Sequence, residues 1–284
     1  VTIQWFPGHM AKARREVEEK LKLVDFVIEL VDARAPEASQ NPMLRKVLGS
    51  KPKMVVLMKK DLADKSATDA WIRHYEEQGT PALAVNADEK GDIQHVIQRA
   101  HDMHAAKREK WKRKGVQNPP PGRAMIIGIP NVGKSTLINR LASKKIAKTG
   151  DRPGVTTQQQ WIKVKKDFEL LDTPGILWPK FEDPQVGLVL AAIGTIKDQI
   201  LPMEEVATFI LGYLKEHYPA QLAERYAIED ISMDTVDMFT HIGRFRGALE
   251  AGGVINYEKT YEIIIRDLRS KRIANVTFEK PEAE

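Results

Sequence analysis

Two observations place the chain in the α/β class with an all-helical domain behind it. Between residues 24 and 175, short apolar runs of strand length alternate with segments of helical period. That alternation predicts a mostly parallel sheet with helices on both faces. From about residue 180 the strand signals stop, and "VGLVLAAIG", "MEEVATFILGYLKEHY" and "NYEKTYEIIIRDLRSKR" all carry helical spacing. The chain therefore divides near residue 178, into domains 1–178 and 179–284.

The elements follow in order. Residues 1–23 form an arm and a first helix. In the opening "QWFPGHMAKA", Trp5 and Phe6 can anchor the arm, while Pro7 and Gly8 build a turn that holds His9. Met10, Ala13, Val17, Leu21 and Val24 then recur at steps of three and four, which predicts a helix over 10–24. "VDFVIELVDAR" reads as a buried strand ending in polar residues, and a helix covers 40–49. "KMVVLM" (53–58) is a second buried strand, followed by a helix over 66–78 opened by Ser66 with Asp69 three residues on. "PALAVNA" (81–87) is a third strand, and a helix over 92–114 runs into the basic stretch "KREKWKRKG". "GVQNPPPGR" (115–123) is a linker, because three consecutive prolines end a helix and favour extended backbone. "RAMIIG" starts a new strand, a helix begins at 134, and "WIKVKK" and "FELLDTPG" supply two more strands.

Composition narrows the function classes. With 42% hydrophobic and 29% charged residues among 284, the chain is an ordinary globular one. It has no cysteine, which excludes disulfide frameworks, disulfide-linked partners, thiolate metal sites and cysteine nucleophiles. No apolar run is long enough to span a bilayer, and "VTIQWFPGHM" lacks the pattern of a secretory leader, so a cytoplasmic location without a membrane partner is expected. A net charge of +5 permits an anionic partner, with positive charge gathered in "KREKWKRKG" (107–115) and "RDLRSKR" (266–272).

"GIPNVGKS" (128–135) matches G-x-x-x-x-G-K-[ST] between a predicted strand and a predicted helix. In that context the backbone of Asn131, Val132, Gly133, Lys134, Ser135 and Thr136 can cradle phosphate oxygens at the positive end of a helix dipole. Lys134 would reach the β- and γ-phosphates, and the Ser135 hydroxyl would ligate Mg²⁺. "LLDTPG" (170–175) ends a strand on Asp172, which can hold Mg²⁺ through water, while the Gly175 amide meets the γ-phosphate. Between them, "TGDRPGVTT" (149–157) offers Thr156, and after it Thr157, to close on the metal. The base is read by "MKKD": Lys59, Lys60 and Asp61 follow the second strand. A carboxylate at Asp61 accepts from the N1–H and amine of guanine and opposes adenine, which has nothing to donate there. Lys59 can lay its stem on the ring, and "VNAD" brings Asn86 and Ala87 to the guanine carbonyl.

The motif order is the reverse of the usual one, since "MKKD" and "VNAD" precede "GIPNVGKS", "PGVTT" and "DTPG". With "VDAR", "QWFPGHMAKA", "INRL", "KTGDRPGVTT" and "LLDTPGILWPKFED", the chain resembles the circularly permuted GTPases, and among them the bacterial ribosome-biogenesis type acting on the large subunit. The resemblance runs nearly end to end. It implies a three-layer P-loop GTPase domain with permuted motif order, GTP and GDP as ligands, and a cytoplasmic, monomeric assembly factor. It also implies binding to, and stimulation by, the large ribosomal subunit precursor, with the helical domain on its rRNA. A nucleotide-gated RNA-binding module with negligible hydrolysis is the alternative.

Three details bear on catalysis. An asparagine at Asn131 implies, in phosphate loops of this style, a potassium ion beside the phosphates. Ile176 stands where many GTPases carry a water-orienting glutamine, and an aliphatic side chain cannot align water. The resemblance points to His9 for that task, and an imidazole can orient water or accept its proton. His101 and His104 are three apart, which could suggest a metal pair, but a solvated helix face is the expectation for them. Finally, Met58 replaces the asparagine that normally opens the base-reading motif and helps tether the phosphate loop. Loss of that hydrogen bond weakens binding by about 0.5–3 kcal/mol, whereas Asp61 keeps the selectivity. Competition binding should therefore give GTP a preference over ATP of more than about threefold at reduced absolute affinity; equal binding of the two would exclude Asp61 as the reader.

Overall fold

The computed structural model describes residues 7–143, 161–173, 183–196 and 201–282, with the backbone alone for residues 7–10 and Met43. The strands are β1 (Phe26–Asp32), β2 (Lys53–Met58), β3 (Ala82–Val85), β4 (Gly122–Gly128), β5 (Trp161–Lys165) and β6 (Phe168–Asp172). Among the described residues they form one sheet in the order β3-β2-β1-β4-β6-β5, parallel throughout except for β5 against β6. That pair is an antiparallel hairpin because only Lys166 and Asp167 separate its strands, too few for a crossover. The central β1 is buried at every residue, as expected of a parallel strand covered on both faces.

Helices α1 (Pro7–Leu21), α2 (Pro42–Val47), α3 (Lys65–Glu77), α4 (Lys90–Arg113) and α5 (Lys134–Ala142) accompany the sheet. Two starts differ from the sequence reading. Helix α1 begins at Pro7, so the backbone of His9 lies in its first turn and not in a separate Pro-Gly turn. Proline is compatible with a first helical position because its missing N–H has no intrahelical partner there anyway. Helix α3 is capped by Asp64, whose side chain accepts from the Ala67 N–H at 3.2 Å, and Ser66 lies within the helix.

Beyond the sheet come α6 (Pro184–Ile193), α7 (Met203–His217), α8 (Pro219–Tyr226), α9 (Thr235–Phe245) and α10 (Tyr257–Arg269). The boundary expected near residue 178 falls outside the described residues. One apolar cluster runs from Ile28 and Leu30 of β1 to Leu211 and Leu214 of α7 and Ile264 of α10. The tail after α10 then returns to the first half of the chain. Phe278 donates its N–H to the Arg34 carbonyl at 2.7 Å, Asp64 N–H donates to Thr277 Oγ1 at 3.0 Å, and Trp71 Nε1 donates to the Glu279 carbonyl at 2.9 Å. No helix among the described residues is long and apolar enough to cross a membrane.

The tail ends in a titratable contact. The Glu279 carboxylate accepts from the N–H groups of Glu37 and Ala38. Burial pushes its carboxyl up to about 7, against the Ala38 N–H, which favours the ionised form. Between the ordinary value near 4.5 and about 7, the folded chain holds a proton that the unfolded chain has lost. Stability therefore falls as pH rises through that window. Urea midpoints near pH 5 and near pH 7.5 should show this fall in the wild type and much less of it in Glu279→Gln.

Candidate active site

The strand order turns at β1 and β4. From β1 the chain steps outward to β2 and β3, and from β4 it goes to the other side. The carboxyl ends of these two strands therefore flank a crevice, the usual ligand position in a doubly wound sheet. Lys59 and Asp61 follow β2, Asn86 and Ala87 follow β3, the 129–133 loop follows β4, and Asp172 ends β6. The structure thus brings these predicted residues to one edge of the sheet.

The loop between β4 and α5 is shaped by close contacts. A Cβ on Gly128 would stand 2.8 Å from Val132 Cγ1, so only glycine fits there. Asn131 (φ 62°) and Gly133 (φ 101°) both take left-handed backbone, which turns the chain sharply into α5. Lys134, Ser135 and Thr136 form the first turn of that nine-residue helix, whose N–H groups have no intrahelical acceptor. Lys134 is buried, and its Nζ lies 3.0 Å from Asp172 Oδ1 and donates to the Thr173 carbonyl. Thr173 is fixed in turn, with Oγ1 donating to the Ile126 carbonyl of β4 at 2.8 Å. Asp172 Oδ1 is buried and accepts no hydrogen bond of good geometry among the described residues. An oxygen in that state can accept from water on a magnesium ion, for which Ser135 in the first turn of α5 would supply a hydroxyl. A second cation, Lys20 of α1, donates to the Asp172 carbonyl at 3.1 Å. Its ammonium is held below the usual lysine value, first by burial and also by Lys134, while Glu16 and Asp172 oppose the shift.

On the base side, Lys59 (φ 60°) donates from Nζ to the Asn131 carbonyl at 2.7 Å. This charge-assisted bond ties the segment after β2, where the base is expected to be read, to the loop between β4 and α5. Met58 is buried, and its Cε is 3.3 Å from the position a Cβ on Gly133 would occupy. The tether expected to be lost with the missing asparagine is therefore made by the next residue, while methionine packs under the loop. Lys60 turns away from the loop, with its Nζ 2.8 Å from Asp92 Oδ2. That ion pair raises its pKa despite burial, which opposes it. Asp92 also accepts from the Asn86 N–H at 2.8 Å, so Lys60 braces the base-side loops from behind. Asp88, beside Ala87, meets Arg140 of α5 at 3.2 Å. Asp61 lies 3.4 Å from the amine of Lys271, which comes from the segment after α10.

Several residues escaped sequence reasoning. Arg34 is fully buried and grips Asp32 through Nε (3.0 Å) and Nη2 (2.8 Å), and the same Nη2 donates to the Ile193 carbonyl at 3.2 Å. Asp32 pays the cost of burial, yet the Arg34 charge and hydrogen bonds hold its carboxyl below the ordinary range. The Asn131 amide donates to the Gly194 carbonyl at 3.2 Å, so the residue expected beside potassium also joins the loop to the end of α6. Lys20 carried no motif, and Lys271 was noticed only as part of the basic stretch 266–272. His104 corrects an expectation, being buried at 1% exposure and not on a solvated face, while His101 is exposed as expected but has an acidic neighbour, with Asp167 Oδ2 3.1 Å from its Nδ1. Thr156, Thr157, Gly175 and Ile176 lie outside the described residues, as does the side chain of His9.

Comparison with known proteins gives the following. Residues 123–235 match a family described as "50S ribosome-binding GTPase". The protein named "Ribosome biogenesis GTPase A" from Bacillus pumilus is 56% identical over 283 residues, covering 100% of both chains. Among solved structures, GNP-bound YlqF from T. maritima superposes with a TM-score of 0.67 at 25% identity, over 95% of this chain and 99% of that one. The GDP-bound form gives 0.66 at the same identity, over 95% and 100%.

The Lys59 tether can be tested separately from stacking on the base. Lys59→Met keeps an aliphatic stem and removes the amine. Titration calorimetry should show GTP affinity falling about tenfold to a hundredfold, the range for losing a charge-assisted bond of ~1.5–3 kcal/mol. An unchanged affinity would mean that the bond to Asn131 does not support the loop.

Proposed function

The chain belongs to the ribosome biogenesis GTPase A family and is a GTP hydrolase, and we propose that it serves as an assembly factor on the large ribosomal subunit precursor. GTP gates its hold on ribosomal RNA in this reading, and hydrolysis releases it. The observation that supports the reading is the 2.7 Å bond from Lys59 to the phosphate loop, made two residues before Asp61, the expected reader of guanine.

The chemistry follows from the residues in place. Backbone N–H groups of Val132 to Thr136 receive the phosphates, and the Lys134 amine exchanges Asp172 for the β- and γ-phosphates as they enter. Ser135, Thr156 and, through water, Asp172 would hold magnesium, which would supply positive charge against those phosphates. A potassium ion at Asn131 would add to that neutralisation. Asp61 accepts from guanine, and Asn86 and Ala87 meet its carbonyl. Gly175 meets the γ-phosphate.

The attacking water needs an orienting group, because Ile176 cannot serve. His9 is that group in this reading. It precedes Lys20 by eleven residues of α1, about 16 Å of helix, and Lys20 is the residue of α1 that touches Asp172. In this reading the subunit swings the arm or a switch loop into place, and that movement completes the site. The basic faces at 107–115 and 266–272 contact RNA phosphates, so binding weakens steeply with salt. The protein acts as a monomer in the cytoplasm.

The deciding measurement is the GTP hydrolysis rate with and without large subunits, in potassium and in sodium. Subunits should raise the rate, and potassium should exceed sodium. His9→Ala should abolish the stimulated rate and leave GTP affinity nearly unchanged. Loss of GTP binding in that variant would instead assign His9 to anchoring the arm.

A further inference from the structure

At the edge of the sheet opposite the nucleotide crevice, His101, His104 and Asp167 bring one donor atom each to within 4.8 Å of one another. The two histidines are one turn apart on the same face of α4, and Asp167 sits in the β5–β6 turn. His104 is the unusual member. Its ring is buried, it stacks on Phe168 at 6.0 Å and 13°, and neither nitrogen has a hydrogen-bond partner among the described residues. Gly122 makes room for it, since a Cβ there would lie 2.3 Å from His104 Cγ. A buried imidazole with both nitrogens unpartnered is costly, and nothing in the nucleotide site uses it.

From this juxtaposition we propose that His101, His104 and Asp167 bind a divalent transition-metal ion of the zinc type, which staples α4 to the β5–β6 hairpin. The donor set decides the class. Two neutral imidazoles and one carboxylate, with no thiolate, suit zinc-like ions, whereas magnesium and calcium prefer oxygen donors. His104 is kept neutral, the ligating form, first by its burial and also by His101 and Arg108, with Asp167 and Asp25 opposing. The cations on this face are already engaged: Lys107 pairs with Asp25, and Arg108 approaches the Asp167 carbonyl at 3.5 Å. His101 Nδ1 and Asp167 Oδ2 are 3.1 Å apart, close to the spacing of about 3.3 Å between ligands of a tetrahedral zinc ion. Both side chains are partly exposed and can rotate to bring their donors toward His104. Water completes the fourth position. The ion would fix the direction of the basic end of α4, beginning at Lys107, relative to β6.

The test uses the full chain saturated with GDP and excess Mg²⁺, so that the nucleotide site is closed to other metals. Titration with Zn²⁺ alone, and the visible absorption of added Co²⁺, should report one tight site per chain, with a raised melting temperature. His101→Ala and Asp167→Asn, both at partly exposed positions, should each lower Zn²⁺ affinity at least about tenfold and lose the thermal shift. His95→Ala, on an exposed residue of the same helix, should leave both readouts unchanged. Zn²⁺ binding that survives the His101 and Asp167 changes, or a wild-type chain that takes up no Zn²⁺, overturns the proposal. The second result would leave His104 as a buried stacking residue alone.

Discussion

The buried pair of Asp32 and Arg34 at the end of the central strand is the constraint on which the rest of the arrangement depends. Both side chains are about 1% exposed, and an ion pair so deeply buried depends on the hydrogen bonds that hold it. Here Asp32 is met by Arg34 Nε and Nη2, and Nη2 also by the Ile193 carbonyl, with Nη1 buried and unpartnered among the described residues, while the Arg34 carbonyl receives the Phe278 N–H. The residue between them, Ala33, donates its N–H to the Met58 carbonyl. One three-residue corner thus locates β1, the base-reading end of β2, helix α6 and the C-terminal tail. Losing either charged partner would leave the other buried alone, at a cost of about 3–5 kcal/mol.

The second meeting point is the carboxyl end of α6. Its last carbonyls carry the negative end of the helix dipole, and three donors from distant segments converge on them. Arg34 reaches Ile193, Arg269 of α10 reaches Ala191 at 2.7 Å, and the Asn131 amide reaches Gly194. Asn131 therefore works in two directions, its carbonyl held by Lys59 and its amide spent on α6. The phosphate loop is braced from the base side and from the helical side. Because every partner is a backbone carbonyl, the arrangement depends on chain position more than on residue type.

Legibility in the sequence followed the range of the interaction. The phosphate loop was readable because its geometry is local: Gly128, Gly133 and Lys134 act within one turn, and the strand and helix beside them announce themselves by period. Lys59 and Asp61 were readable for the same reason, as the end of a buried strand. The role of Lys59 was read only in part, because its acceptor lies 72 residues away on Asn131. His104 was misread as solvated, and the partner of the exposed His101 was missed, since the Phe168 ring and Asp167 come from a hairpin more than sixty residues later. The start of α1 was misplaced because proline signals a turn and a helix start equally well.

The sequence by itself determined the α/β class, the permuted order of motifs and the nucleotide chemistry, because those rest on periodicity and on residue types at short spacing. Only the tertiary structure decided which groups face each other across the crevice. It placed Lys20 and Lys134 on the end of β6, Lys271 beside Asp61, Lys60 behind the base loops and Arg34 under α6. Those pairings join residues far apart in the chain. Their energy comes from burial and charge that exist only once the sheet and its helices have closed around them.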